Sequence, residues 1–230
     1  MIAVCVSGQA RDNGKWLKQL VKRLPENTDY YFAFFDSILA EKTIKTHSPK
    51  RYKLLKQRPG EWWREQLLER YDATEEQKRV LYTPDKKRGG CLRDNPLRMF
   101  YAIKECNDLV EGYYEYVIRA RPDIRINRPK YDLGLWVKSH EIGVPMNSWT
   151  PIPYYRSDKF FFGTQSMMKK VSNLYEDLPK VLDKTINPEH GWLSPEVTLH
   201  WAIKHLYGGE TVPIKAWDID RYRVKYAIYS

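Results

Sequence analysis

The segment Tyr116-Val-Ile-Arg-Ala-Arg-Pro-Asp-Ile-Arg-Ile126 carries an apolar strand out into Arg119, Arg121, Asp123 and Arg125. A carboxylate framed by guanidiniums stays ionised, because neighbouring positive charge favours its charged form. At a strand end such an Asp can hold a divalent cation that bridges a diphosphate, while arginines grip the phosphate oxygens through paired N–H groups. The same residues also suit a plain ion pair that pins a loop, and the sequence leaves both open. A second candidate is Val6-Ser-Gly-Gln-Ala-Arg11. Ser7, Gly8 and Gln9 form a turn after an apolar run, where backbone N–H groups and Arg11 can meet a nucleotide. Neither G-x-G-x-x-G nor G-x-x-x-x-G-K-S/T occurs, which removes support for hydride transfer on a dinucleotide and for P-loop ATP hydrolysis.

Two acids are candidates for base or hydroxyl-binding work. Asp158 precedes the apolar Lys159-Phe-Phe-Phe-Gly163, and Glu196 follows Ser194-Pro195. A general base near neutral pH needs a raised pKa, which aromatic surroundings supply by desolvation. Glu196 also has a simpler role, since an acid in the first turn beside a Ser cap stabilises its helix. His47, His140, His190, His200 and His205 show no H-E-x-x-H spacing, and Cys5, Cys91 and Cys106 are too scattered for a zinc knuckle or a disulfide framework. No G-x-S-x-G elbow is present, and Cys5 lies inside an apolar strand, so an acyl-transfer nucleophile is not expected.

These residues must be positioned by an alternation of strands and helices. Met1–Val6 is a strand that ends at the Ser7-Gly8-Gln9 turn. A helix over Asn13–Leu24 follows, with Trp16, Leu17, Leu20, Val21 and Leu24 on one face and Pro25 as its stop. Asp29–Phe35 and the run from Tyr116 are further strands, and Asn95–Val110 between them has helical spacing. The pattern predicts an α/β fold of Rossmann-like kind, a mostly parallel sheet flanked by helices, with ligands beyond the carboxyl ends of the strands at Ser7–Arg11, Asp36 and Arg121–Asp123. Later, a helix is expected from about Ser166 to Tyr175, and another capped by Ser194 runs to Leu206 and stops at Gly208-Gly209.

The chain has 230 residues, 42% hydrophobic and 30% charged, with 8 Trp, 17 Tyr and 7 Phe, which excludes disordered, collagen-like and coiled-coil classes. One domain over 1–230 is expected. No apolar run approaches the roughly 18 to 20 residues of a membrane span, and no secretory leader is read, so a cytoplasmic location is expected. The net charge of +10 favours polyanions or small anions. Residues 42–58 hold seven Lys and Arg and no acid. With Glu61–Tyr71 they suggest a basic helical insertion over 42–90 that interrupts the alternation. Lys50, Arg51, Lys53, Lys86, Lys87 and Arg88 could track phosphates, with Trp62 and Trp63 as stacking rings or as core. Residues 84–98, with Gly89-Gly90, form a candidate flap.

The order Ile2-Ala-Val-Cys-Val-Ser-Gly-Gln-Ala-Arg11, Tyr31-Phe-Ala-Phe-Phe-Asp36, Asn95-Pro-Leu-Arg-Met-Phe-Tyr-Ala-Ile103, Tyr116 to Asp123, Asp158 to Gly163 and Ser194-Pro-Glu-Val-Thr-Leu199 resembles small GT-A-type glycosyltransferase-like proteins of capsule synthesis, phages and large viruses. The resemblance implies a GT-A fold and transfer of a sugar from a nucleotide sugar, UDP-linked, to an acceptor hydroxyl. It places the donor near Ser7, Gly8, Gln9, Arg11 and Asp36, with Met99 and Tyr101 flanking it. Arg121-Pro-Asp123 falls where such enzymes carry D-x-D, with Arg in the first position. Either Asp123 alone holds Mg or Mn, or Arg119 and Arg121 neutralise the diphosphate without metal. Asp158 is the first choice for the catalytic base and Glu196 the second. The basic surface points to DNA as acceptor, at a flipped hydroxymethylated pyrimidine, with a glycan or capsule precursor as alternative. A nucleic-acid-binding module without catalysis is the reading from a different class.

Overall fold

The computed structural model describes residues 1–11, 14–22, 24, 26–82, 95–123, 141–145, 160–187 and 192–214. In chain order the elements are β1 (Ile2–Gly8), α1 (Lys15–Val21), β2 (Thr28–Phe35), α2 (Ile38–His47), β3 (Arg51–Leu55), α3 (Gly60–Leu68), α4 (Glu75–Tyr82) and α5 (Asn95–Asn107). They continue with β4 (Tyr116–Ala120), β5 (Glu141–Pro145), β6 (Phe160–Thr164), α6 (Gln165–Ser172), α7 (Leu174–Thr185), β7 (Ile186–Asn187), β8 (Trp192–Leu193) and α8 (Pro195–Trp201). A π-helical turn over Ala202–Leu206 extends α8, and β9 (Glu210–Ile214) closes the series.

Seven strands form one sheet in the order β3-β2-β1-β4-β6-β5-β9. β1 pairs in parallel with β2 on one side and β4 on the other, and β2 pairs in parallel with β3. β6 runs antiparallel to both β4 and β5, and β5 and β9 are parallel. The described sheet is thus mostly parallel, with β6 as its reversed strand.

Burial explains why the central strands are apolar throughout. One face of Val4, Val6, Phe32, Phe34, Ile118, Phe160 and Phe162 packs against Leu17 and Leu20 of α1 and Ala40 and Ile44 of α2. The other, with Cys5, Tyr31, Phe35, Val117 and Phe161, packs against Phe100, Ile103 and Cys106 of α5 and against residues of α3, α6, α7 and α8. A strand covered on both faces has no polar side, so it reads as a continuous run.

The expected helices stand at α1, α5 and α8. Ser194 caps α8, its Oγ accepting from the Val197 N–H at 3.4 Å. The helix expected near Ser166 divides into α6 and α7, and α7 extends to Thr185. The expected interruption at 42–58 is corrected: α2 and β3 continue the alternation there, with β3 in register from Tyr31↔Arg51 to Phe35↔Leu55. Arg51–Leu54 are exposed because β3 is the sheet's edge, so the strand carries charge where an inner strand carries aliphatics. No helix among the described residues is long and apolar enough to cross a membrane.

Candidate functional site

Chain order and strand order diverge between β1 and β4. From β1 the chain lays β2 and then β3 on one side, and returns through α5 to place β4 on the other side of β1. In an open α/β sheet such a switch opens a crevice beyond the carboxyl ends of the two strands. By that rule the crevice is expected here between the segments that follow Gly8 and Ala120. Gly8 has φ +117°, a conformation that strongly favours glycine, and a Cβ built there meets nothing within 4 Å. Among the described residues the backbone at the end of β1 is therefore uncrowded. Ser7 is fully buried, Gln9 is exposed, and Ala10 returns to the core, which fixes the turn and leaves Arg11 at its rim.

The register of β1 with β4 brings Arg11 to Asp123, 112 residues away in sequence. Arg121 forks onto Asp123, Nε donating to Oδ1 at 2.9 Å and Nη2 to Oδ2 at 2.6 Å, and Arg11 Nη1 donates to Oδ2 at 3.4 Å. The Asp123 side chain is 12% exposed, against 24% for Arg121 and 41% for Arg11. Burial alone would raise the Asp123 pKa, but the charge and hydrogen bonds of Arg121 and the charge of Arg11 outweigh it and hold the carboxyl below its ordinary value. Among the described residues two guanidiniums thus meet one carboxylate, which gives these three side chains one net positive charge, suited to an anion.

A divalent cation does not fit Asp123 as it stands. Both carboxylate oxygens already accept from guanidiniums, and a metal ion bound there would face two positive charges at close range.

Other candidates fall in different places. Arg119 is 1% exposed on β4, its guanidinium carbon 5.9 Å from the Phe161 ring centre, so it lies inside the sheet's packed face. Asp36 is exposed at the end of β2, its N–H donating to Leu55 O at 2.9 Å. Met99 and Tyr101 are half-buried on α5, and the Tyr101 ring meets those of Trp63 and Tyr175 at 5.1 and 5.2 Å. Trp63 is core, packed edge-on against Phe35, so it offers no free face for a base. Trp62 is half-buried, with the Arg58 guanidinium 5.1 Å over its ring.

The three basic residues of the edge strand region are paired: Lys50 with Asp29 at 2.7 Å, Arg51 with Glu111, and Lys53 with Glu105. Lys50 and Arg51 stand at the amino end of β3, the end away from the crevice. Glu196 accepts from Ser194 Oγ at 2.9 Å, which ties it to the cap. Asp158, Lys86, Lys87 and Arg88 lie outside the described residues.

The flap expected over 84–98 is corrected at its end: residues 95–98 belong to the first turn of α5, and Arg98 Nη2 donates to Arg58 O at 2.9 Å. Sequence reasoning misses Gln57, whose Nε2 donates to Asp36 O at 3.3 Å beside the end of β2, a contact between separate segments that no local pattern marks.

No protein-family model matches the chain, and no curated protein is similar enough to count as a match.

Proposed function

We propose that the protein transfers a glycosyl group from a nucleotide sugar to an acceptor hydroxyl. The observation that carries this reading is the cationic Arg11–Asp123–Arg121 cluster at the β1/β4 switch point, beside the glycine turn at Gly8. A diphosphate needs backbone N–H groups at close approach and fixed positive charge, and both meet there. The mostly parallel sheet with one reversed strand supports a GT-A variant of the Rossmann-like architecture.

In the reaction the acceptor oxygen bonds to the anomeric carbon as the bond from that carbon to the phosphate oxygen breaks. The nucleoside diphosphate leaves with the electron pair, and the hydroxyl proton passes to a carboxylate. Arg11 and Arg121 stabilise the charge that develops on the leaving group. Asp158 remains the proposed base. Glu196 is the second choice, its bond to Ser194 favouring a role in the helix cap.

For the acceptor, the pairing of Lys50, Arg51 and Lys53 with acids withdraws part of the charge that pointed to DNA, and a glycan hydroxyl gains by it. The test is nucleoside diphosphate release from a panel of nucleotide sugars, with glycan acceptors, plain DNA or hydroxymethylated DNA added. Release stimulated by one acceptor class identifies it. Silence across the panel with DNA binding retained would replace the enzyme by a binding module.

A further inference from the structure

We propose that the Arg11–Asp123–Arg121 cluster is a metal-free clasp for a diphosphate, in which Asp123 is a positioning residue that acts through Arg121. The proposal deepens the reading of this site as a nucleotide-sugar site and rests on it for the identity of the anion.

Three observations carry it. First, the Asp123 carboxylate is committed: Arg121 occupies both its oxygens and Arg11 shares Oδ2, so a cation would have to displace a guanidinium and sit beside its charge. Second, an ion pair that only pins a loop needs one arginine, whereas the second comes from the far side of the switch point, 112 residues before Asp123. That second guanidinium is loosely held at 3.4 Å and 41% exposed, so it can turn to a ligand with little loss. Third, no described atom lies within 4 Å of a Cβ built at Gly8, at the end of the neighbouring strand, where a phosphate can reach backbone N–H groups. Asp123 thus fixes the plane of the Arg121 fork, and Arg11 closes from the opposite strand.

The test is calorimetric titration of the full chain with inorganic pyrophosphate and with a nucleoside diphosphate, in EDTA and then in Mn. The clasp predicts affinities that agree within about threefold in the two buffers. Binding abolished by EDTA, or tightened more than about tenfold by Mn, overturns it. Arg121→Lys keeps a charge but loses the fork, and is expected to weaken pyrophosphate by about tenfold or more. Wild-type affinity in that variant would show that a point charge suffices and would remove the fork. Asp123→Asn is expected to weaken the same binding equally in EDTA and in Mn, whereas a metal ligand would lose only the Mn-dependent part. Should Asp123→Asn fail to fold, Arg11→Gln on the exposed rim reads the same clasp: its loss of affinity must be equal in both buffers, and no loss overturns the two-sided grip. EDTA-resistant binding without turnover on any nucleotide sugar would remove glycosyl transfer and leave the clasp. Turnover that requires Mn would leave glycosyl transfer and remove the clasp.

Discussion

Gly8 and Gly14 both adopt positive φ, at +117° and +75°, but their surroundings differ. A Cβ at Gly8 meets no described atom within 4 Å, so Gly8→Ala is expected to carry backbone strain alone, of order 1 to 2 kcal/mol. A Cβ at Gly14 would come within 2.7 Å of His47 Nε2 and 3.1 Å of Thr43 Cγ2, and the His47 ring is held by the Gly14 carbonyl at 3.2 Å. Thermal melts should therefore rank Gly14→Ala below Gly8→Ala, and the reverse order would mean that the space beside Gly8 is filled. The same scale gives a pH dependence at Asp177. Burial would raise the pKa of this carboxylate, but hydrogen bonds from Lys180 at 2.6 Å and Tyr207 at 2.9 Å bring it below its ordinary 3.8. A lowered folded-state pKa contributes stability that is fully present above the unfolded value and vanishes as pH falls through the folded one. Asp177→Asn should accordingly lower the melting temperature by a constant amount between about pH 5 and 8, with the gap to wild type closing below about pH 4. A gap that changes across neutral pH would place the effect in another group.

Among the elements, α3 holds the least expected side chain. Arg64 is 4% exposed, its guanidinium carbon 4.9 Å over the Tyr82 ring of α4, and its Nε and Nη1 have no hydrogen-bond partner among the described residues. A ring face returns only part of the cost of burying a charge, so an apolar side chain of similar length should fit better. Arg64→Met is expected to stabilise the protein by about 1 kcal/mol or more, a rise of roughly 2 to 4 °C in melting temperature for a chain of this size. A fall would show that the guanidinium is engaged. The strands show what a sequence can disclose. β1, β2 and β6 are buried on both faces and stand out as apolar runs, and Arg121-Pro-Asp123 stands out because charges emerge where such a run ends. β3 is hidden because Arg51–Leu54, exposed at the sheet edge, obey no apolar period, and β5 and β9 complete their ladder with each other across 69 residues of chain, from Glu141 to Glu210. The Arg11–Asp123 pairing is illegible for the same reason, since it exists only once β1 and β4 lie side by side.

At the scale of the whole molecule the question is where a net charge of +10 can act. Total charge steers any anion towards the protein, but a polyanion that binds must find unneutralised cations spaced along a path. The described edge does not provide such a path: Lys50, Arg51 and Lys53 each face a carboxylate, and hydrogen bonding to Asp29 and Tyr114 raises the Lys50 pKa, so its charge is committed locally. Each phosphate that a protein ceases to neutralise lowers the slope of log affinity against log salt by about 0.9. Replacing Lys50, Arg51 and Lys53 together by Ala should therefore leave that slope unchanged within about one unit in fluorescence anisotropy with duplex DNA. Nucleoside diphosphate affinity should also be unchanged, since none of the three lies at the switch point. A slope lowered by about 2 or more would instead make this edge a phosphate track, because three independent phosphate pairs predict about 2.7, and would return the acceptor of the proposed transfer to DNA.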